Sequence, residues 1–215
     1  MKTLFSFLLG LSVLQAQVKE VKIGTQVWMA KNLDVATFRN GEPIPQAKTD
    51  KEWENAGINK QPAWCYYDNN PENGTKYGKL YNWYAVNDKR GLAPAGYHIP
   101  TEAEWITLRT YLGGEEVAGT KMKSTSGWNE NGNMYESTHY NGTNSSGFNG
   151  LPGGSLYNVR YKTGRCFGIG KDGYWWSATG VNDGAWSLYL INSLDSFGMY
   201  FHDKVNGLYV RCLRD

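Results

Sequence analysis

Residues 100–114 read PTEAEWITLRTYLGG, and the short helix they encode decides the class of fold. Thr101 followed three positions later by Glu104 is a capping box. Each side chain can satisfy a backbone N–H that the first helical turn leaves unpaired. Trp105, Leu108 and Leu112 recur at i, i+3 and i+7, so they share one face. Gly113-Gly114 then supplies the left-handed residues that end a helix. The pattern predicts a helix over 102–112 with one aromatic and aliphatic stripe to bury. A second short helix is expected over 115–122.

The C-terminal part of the chain is of the opposite kind. From Tyr174 onward the text is strand-like: YWWSAT (174–179), AWSLYL (185–190), SFGMYF (196–201) and GLYVRCL (207–213). Turn residues separate the segments at 180–184, 192–196 and 202–207. Their spacing of about ten residues predicts an antiparallel meander. Capped helices with a meander after them imply an α+β unit.

The rest of the chain fits around these two signals. Residues 18–28 (VKEVKIGTQVW) alternate weakly about Gly24-Thr25 and predict a hairpin. Asn40-Gly41 marks a turn, and Pro43 and Pro45 interrupt regular structure. Residues 49–56 (TDKEWENA) repeat the capping-box spacing, so a helix ending near Gly57 is expected. Residues 68–79 (DNNPENGTKYGK) read as turns, and 80–86 as a short helix. Residues 124–155 are mostly Ser, Asn, Gly and Thr. The rings of Trp128, Tyr135, Tyr140 and Phe148 punctuate this stretch and argue for an ordered loop over a linker.

Composition narrows the class. The 215 residues include nine Trp, fifteen Tyr, seven Phe and 26 Gly, with a formal charge of +2. That balance removes the electrostatic argument for nucleic acid as a partner. Residues 1–16 (MKTLFSFLLGLSVLQA) carry a positive Lys2 and a short apolar run from Leu4 to Leu14. They read as a signal peptide, with Ala16 at the cleavage point. The mature domain is then 17–215, without a membrane span, and its expected address is the periplasm, the cell surface or the exterior. In that oxidising setting two of Cys65, Cys166 and Cys212 would pair, and spacing alone leaves open which two.

Catalytic signatures are not evident. There is no GxSxG elbow. His98, His139 and His202 show no metal-ligand spacing, and no CxxC or EF-hand loop occurs. Capping and dipole complementarity account for Glu102 and Glu104. The expectation is a protein that is not an enzyme, with no cofactor and no metal.

Seven blocks carry a resemblance. They are WMAKNLDVATFRNGEPIP (28–45), KYGKLYNWYAVND (76–88), LAPAGYHIPTEAEW (92–105), AGTKMKSTSGW (118–128), SGFNGLPGG (146–154), GYWWSAT (173–179) and GLYVRCLRD (207–215). In this order they resemble the Fibrobacter succinogenes major paralogous domain. The PTEAEW block also resembles the formylglycine-generating enzyme superfamily. The resemblance implies a C-type-lectin-like α+β fold: two main short helices on a small twisted antiparallel sheet, with long ordered loops. It implies that Trp28, Trp83, Trp105, Trp175 and Trp176 pack the core, and leaves Trp64, Trp128 and Trp186 open. It also implies a Cys65–Cys212 disulfide with Cys166 free, since the first two stand where the family shows cysteine. The copper-binding cysteine pair of the related oxidases has no counterpart here, and neither does the calcium motif of animal C-type lectins.

The resemblance places a variable surface at 181–206, between two fixed blocks. Aromatic rings offer contact area at low entropic cost, and Asn and Asp add adaptable hydrogen bonds. The expected ligand-binding residues are Asn182, Asp183, Tyr189, Asn192, Asp195, Tyr200 and His202, with Asn192, Asp195 and Tyr200 foremost. The expected function is a non-catalytic module that binds a protein or glycan outside the cytoplasm. A structural or adhesive surface component is the alternative, with an oxidase-like enzyme related to formylglycine-generating enzyme ranked behind it.

Overall fold

The computed structural model describes residues 18–129, 140–157 and 166–215. The expected signal peptide therefore lies outside the described residues, as do His139 and Tyr135.

The chain opens with a hairpin of β1 (Glu20–Ile23) and β2 (Gln26–Met29), turned at Gly24 with φ +62°. Helix α1 (Asp50–Ile58) begins at a Thr49/Glu52 capping box. After it come β3 (Trp64–Cys65), α2 (Pro71–Tyr77), β4 (Leu80–Tyr81), α3 (Trp83–Val86) and β5 (Tyr97–His98). Two expectations change in this stretch. The turn-rich 68–79 segment contains α2, because Asn70 caps it, Pro71 sits at its first position and Gly78 ends it. The helix expected over 80–86 shortens to α3, because Leu80 and Tyr81 pair with β3 and Asn82 caps what remains.

Helix α4 (Glu102–Tyr111) has the anticipated capping box, and α5 (Glu115–Met122) comes directly after it. The remaining elements are β6 (Gly153–Leu156), β7 (Cys166–Ile169), β8 (Asp172–Val181), β9 (Gly184–Ile191), β10 (Gly198–Asp203) and β11 (Leu213–Arg214). Among the described residues these form a sheet ordered β10-β9-β8-β6-β7, a second ordered β1-β2-β11-β5, and the pair β3-β4. The architecture is α+β. The expected meander holds for β8, β9 and β10. Its fourth segment departs from it: 207–209 bridges to Leu156, Tyr81 and Trp175, and β11 joins the other sheet.

The core divides into two clusters because strands alternate their side chains. Trp175 enters one and Trp176 the other. The same split separates Trp28 from Met29, Cys65 from Trp64, and Tyr209 from Leu208 and Val210. In the first cluster Trp28 and Trp105 stack at 4.6 Å, with Phe148 edge-on to both. Arg211 is buried between the elements. It donates to Asn32 Oδ1, Met29 O and Phe148 O, and lies 4.4 Å from the Phe148 ring. Trp28, Trp83, Trp105, Trp175 and Trp176 are all buried, as are Trp64 and Trp128, while Trp186 is half-buried.

The cysteines correct one expectation. Cys65, Cys166 and Cys212 are all free. Cys65 packs into the first cluster and Cys212 into the second, so the Cys65–Cys212 bridge is not formed. Cys166 Sγ instead accepts a hydrogen bond from the Asp68 backbone N–H at 3.2 Å.

Candidate functional site

The long hairpin β8–β9 and its neighbour β10 present one face whose residues are fixed by register. Side chains alternate, so Asp172, Tyr174 and Trp176 of β8 share a face. Tyr174 stands opposite Tyr189, and Tyr189 opposite Gly198. Trp176 stands opposite Ser187, Ser187 opposite Tyr200, and Ala185 opposite His202. The small residues Ala185 and Ser187 on the central strand are fully buried. Over them the larger rings lean together.

The rings meet around His202. Its imidazole lies 4.9 Å from the Tyr200 ring, 5.3 Å from Tyr174, 5.5 Å from Tyr157 and 6.2 Å from Trp176. Tyr157 comes immediately after β6 and also contacts Phe167 of β7 at 6.3 Å. Tyr189 lies 6.3 Å from Tyr174 and drapes over Gly198, where a Cβ would overlap its ring. Tyr200 is 57% exposed and Phe167 47%, while Tyr157, Tyr174 and Tyr189 are half-buried. The face is therefore open at its rim and closed at its centre.

An imidazole, a carboxyl and two phenols sit in this apolar setting. Burial pushes the His202 imidazole down to about 4, so it is neutral at pH 7. Its Nδ1 lies 3.3 Å from Asn206 Nδ2, and its Nε2 is buried without a hydrogen-bond partner among the described residues. At the outer end of the face the half-buried Asp172 carboxyl is pushed up to about 6 by burial, against the opposing effect of Lys171. That carboxylate packs against Gly168 of β7, whose backbone has φ +82°. Burial also raises the Tyr157 and Tyr174 phenols, with the Tyr174 hydroxyl hydrogen-bonded to Tyr157.

Of the residues expected from sequence, Tyr189, Tyr200 and His202 come together here. The others do not. Asn182 and Asp183 form the exposed β8–β9 turn, Asn182 at φ +48°, and their carbonyls accept from Lys204. Asn192 lies at the opposite end of the hairpin. It is buried, and its carboxamide donates to Asn129 O. Asp195 accepts from the Thr120 hydroxyl at 2.6 Å and ties the β9–β10 loop to α5. Lys123, itself buried, donates to Ile191 O, Asn192 O and Leu194 O and holds the same loop. Asn192 and Asp195 thus build the scaffold. The sequence reading missed Tyr157, Phe167, Asp172 and Tyr174. Period-two alternation through Asp172, Tyr174 and Trp176 was a usable signal, but which face carries it depends on pairing with β9.

Elsewhere, His98 is clamped between Asp215 at 2.8 Å and Glu104 at 2.9 Å. Burial favours its neutral form, yet these two hydrogen bonds outweigh it and raise the imidazole above its ordinary range. Burial also raises all three thiols, so none is an activated thiolate. Among the described residues no group of three or more His, Cys, Asp or Glu side chains could hold a metal, and no helix is long and apolar enough to cross a membrane.

Comparison with family models matches the chain to the Fibrobacter succinogenes major domain, over residues 21–214. The chain belongs to this family. No curated protein and no solved structure matches it. The matched span of the Fibrobacter succinogenes major domain includes the whole ring-lined face, from Tyr157 to His202, and both halves of the core.

Proposed function

We propose that this Fibrobacter succinogenes major domain is a non-catalytic binding module that works outside the cytoplasm. It recognises a protein or glycan through the ring-lined face of β8, β9 and β10. The fold proposed for it is C-type-lectin-like, with helices α1 and α4 as the two principal ones. The observation that carries the reading is the semi-exposed aromatic face itself. Three tyrosines and Trp176 converge there around a neutral histidine, with Tyr189 beside Tyr174, on strands anchored at both ends. Large rings held by a rigid sheet give contact area with little ordering cost on binding. The raised thiols and the clamped His98 support a role without chemistry, because neither is poised as a nucleophile or a free base.

The test compares wild type with the double variant Tyr189→Ala/Tyr200→Ala on a glycan array and against immobilised extracellular proteins. Saturable binding by wild type, lost in the double variant, is the expected result. Binding that survives the double substitution overturns the assignment of the face. A surface component whose role is assembly would self-associate and bind neither panel.

A further inference from the structure

We propose that the corner formed by Tyr157, Phe167, Asp172, Tyr174 and Tyr189 is a binding site for an alkylated ammonium group carried by a small molecule. The inference rests on the ring-lined face being the ligand surface, and it names the chemistry that one end of that face accepts.

Three observations converge on a cation. The first is an acid without a partner among the described residues. The Asp172 carboxylate is half-buried, and among the described residues no hydrogen bond or ion pair reaches it. Lys171 acts on it only through space. A buried carboxylate ordinarily has a paired cation or several donors. The second concerns the chain's own cations. Lys76, Lys79, Arg90, Arg109, Lys123, Lys204 and Arg211 all lie over rings elsewhere. Among the described residues no cation covers Tyr157, Phe167, Tyr174 or Tyr189. Neutral His202 adds no repulsion.

The third observation is shape. Tyr157 meets Phe167 at 62° and Tyr174 at 81°, and Tyr174 meets Tyr189 at 43°, with centroids 6.3–6.5 Å apart. Rings so steeply inclined make walls, not a level platform. A flat pyranose face stacks best on a level ring, whereas a compact, rounded ammonium suits a corner. Attraction to a ring face operates within about 6 Å of its centroid. The donor count selects alkylation. A primary ammonium brings three N–H groups to satisfy. Among the described residues Asp172 is the one anionic acceptor at this corner, and the Tyr174 hydroxyl already engages Tyr157. An ammonium clothed in methyl groups needs few acceptors or none and presents those methyls to the rings.

The probe pair is choline and 3,3-dimethyl-1-butanol, which share a shape and differ in charge. Titration calorimetry with the intact chain should show saturable choline binding, with the neutral probe at least about tenfold weaker, a difference of about 1.4 kcal/mol. Asp172→Asn should cost a similar factor. Tyr189→Leu removes one wall and should weaken choline without touching the acid, which covers the case of a poorly folded Asp172 variant. Equal affinity for the two probes overturns the proposal, as does the absence of saturable choline binding or an unchanged affinity in either variant. Choline failing while Tyr189→Ala/Tyr200→Ala still abolishes glycan or protein binding would sink the ammonium site and leave the binding face standing.

Discussion

Asp172→Asn should stabilise the protein, and by an amount that depends on pH. Asn keeps the shape of the side chain and removes its charge. In the folded chain the Asp172 carboxyl titrates at about 6, against an ordinary 3.8, and burial is the main cause. Between those values the folded state holds a proton that the unfolded chain has released. Stability therefore falls as pH rises through this window, by about 1.4 kcal/mol per unit. A span of about two units caps the penalty at about 3 kcal/mol above pH 7, and solvent screening of the half-buried carboxylate lowers it. The variant escapes it. Its gain over wild type should reach about 2 kcal/mol at pH 7.5 and shrink toward zero below pH 4. His202 works in the other sense. Its imidazole falls from 6.5 to about 4 on folding, so the unfolded chain binds the extra proton and acid destabilises the fold. In wild type the two slopes oppose each other between pH 4 and 6. In Asp172→Asn the His202 slope stands alone, and acid sensitivity should steepen. Urea unfolding monitored by tryptophan fluorescence at several pH values reads both effects. With a slope of about 3 kcal/mol/M, the midpoint should rise by about 0.7 M at pH 7.5. A gain that does not vary with pH would refute the reasoning, and so would a loss at pH 7.5, which would mean that Asp172 has a cationic partner.

The same structure sets further outcomes. Arg211→Met should cost about 3 kcal/mol, because Asn32, Met29 O and Phe148 O lose a buried donor; thermal unfolding would show it, and an unchanged midpoint would contradict the role. His98→Gln should destabilise most between about pH 5 and 6.5. Below the ordinary imidazole range the charged ring keeps both carboxylates, and that benefit disappears as pH rises through its raised value; comparable losses at pH 9 would count against the clamp. Gly198→Ala should displace the Tyr189 ring and weaken ligand capture with little change in far-ultraviolet circular dichroism; full retention of binding would argue against Tyr189 as a contact. All three cysteines should alkylate in urea without prior reduction, while the buried Cys65 and Cys212 resist in the native state; recovery of a disulfide-linked peptide would contradict free thiols.

The helices were legible because their signals are local. Thr101 and Glu104 cap α4, and Thr49 and Glu52 cap α1, using only neighbours in sequence. Helix α2 was lost because its Asn-Gly pair reads as a turn, whereas Asn70 and Pro71 set its start. The meander was legible from spacing, but not the departure of its last segment, which depends on contacts with Leu156, Tyr81 and β2. The candidate site shows the same division. Tyr189, Tyr200 and His202 lay in the stretch singled out. Tyr174 opened a strand segment in which only Trp175 and Trp176 were assigned a role, and Asp172 lay just outside it. Asn192 looked like a contact residue and is a buried brace, since burial of a polar side chain is set by partners such as Asn129 that sequence alone does not name.

One face of β8 explains why a costly acid can be held where it is. Trp176, Tyr174 and Asp172 point the same way, and along them the environment changes from sealed core to half-open rim. The inner residue is fixed by full burial and by an indole N–H donated to Tyr81 O at 2.7 Å. The β8–β9 register carries that fixity outward, and ring contacts at Tyr174 and the approach of Asp172 to Gly168 give both side chains a defined direction. Pre-organisation of this kind reduces the ordering cost of binding. It also holds the Asp172 carboxylate in an apolar corner that a free side chain would leave for water. Sites that retain a destabilising group against the interest of the fold are where function is expected to reside. If Asp172→Asn gains stability and loses choline in the same variant, the two effects share one cause: a negative charge kept short of solvent until a cation arrives.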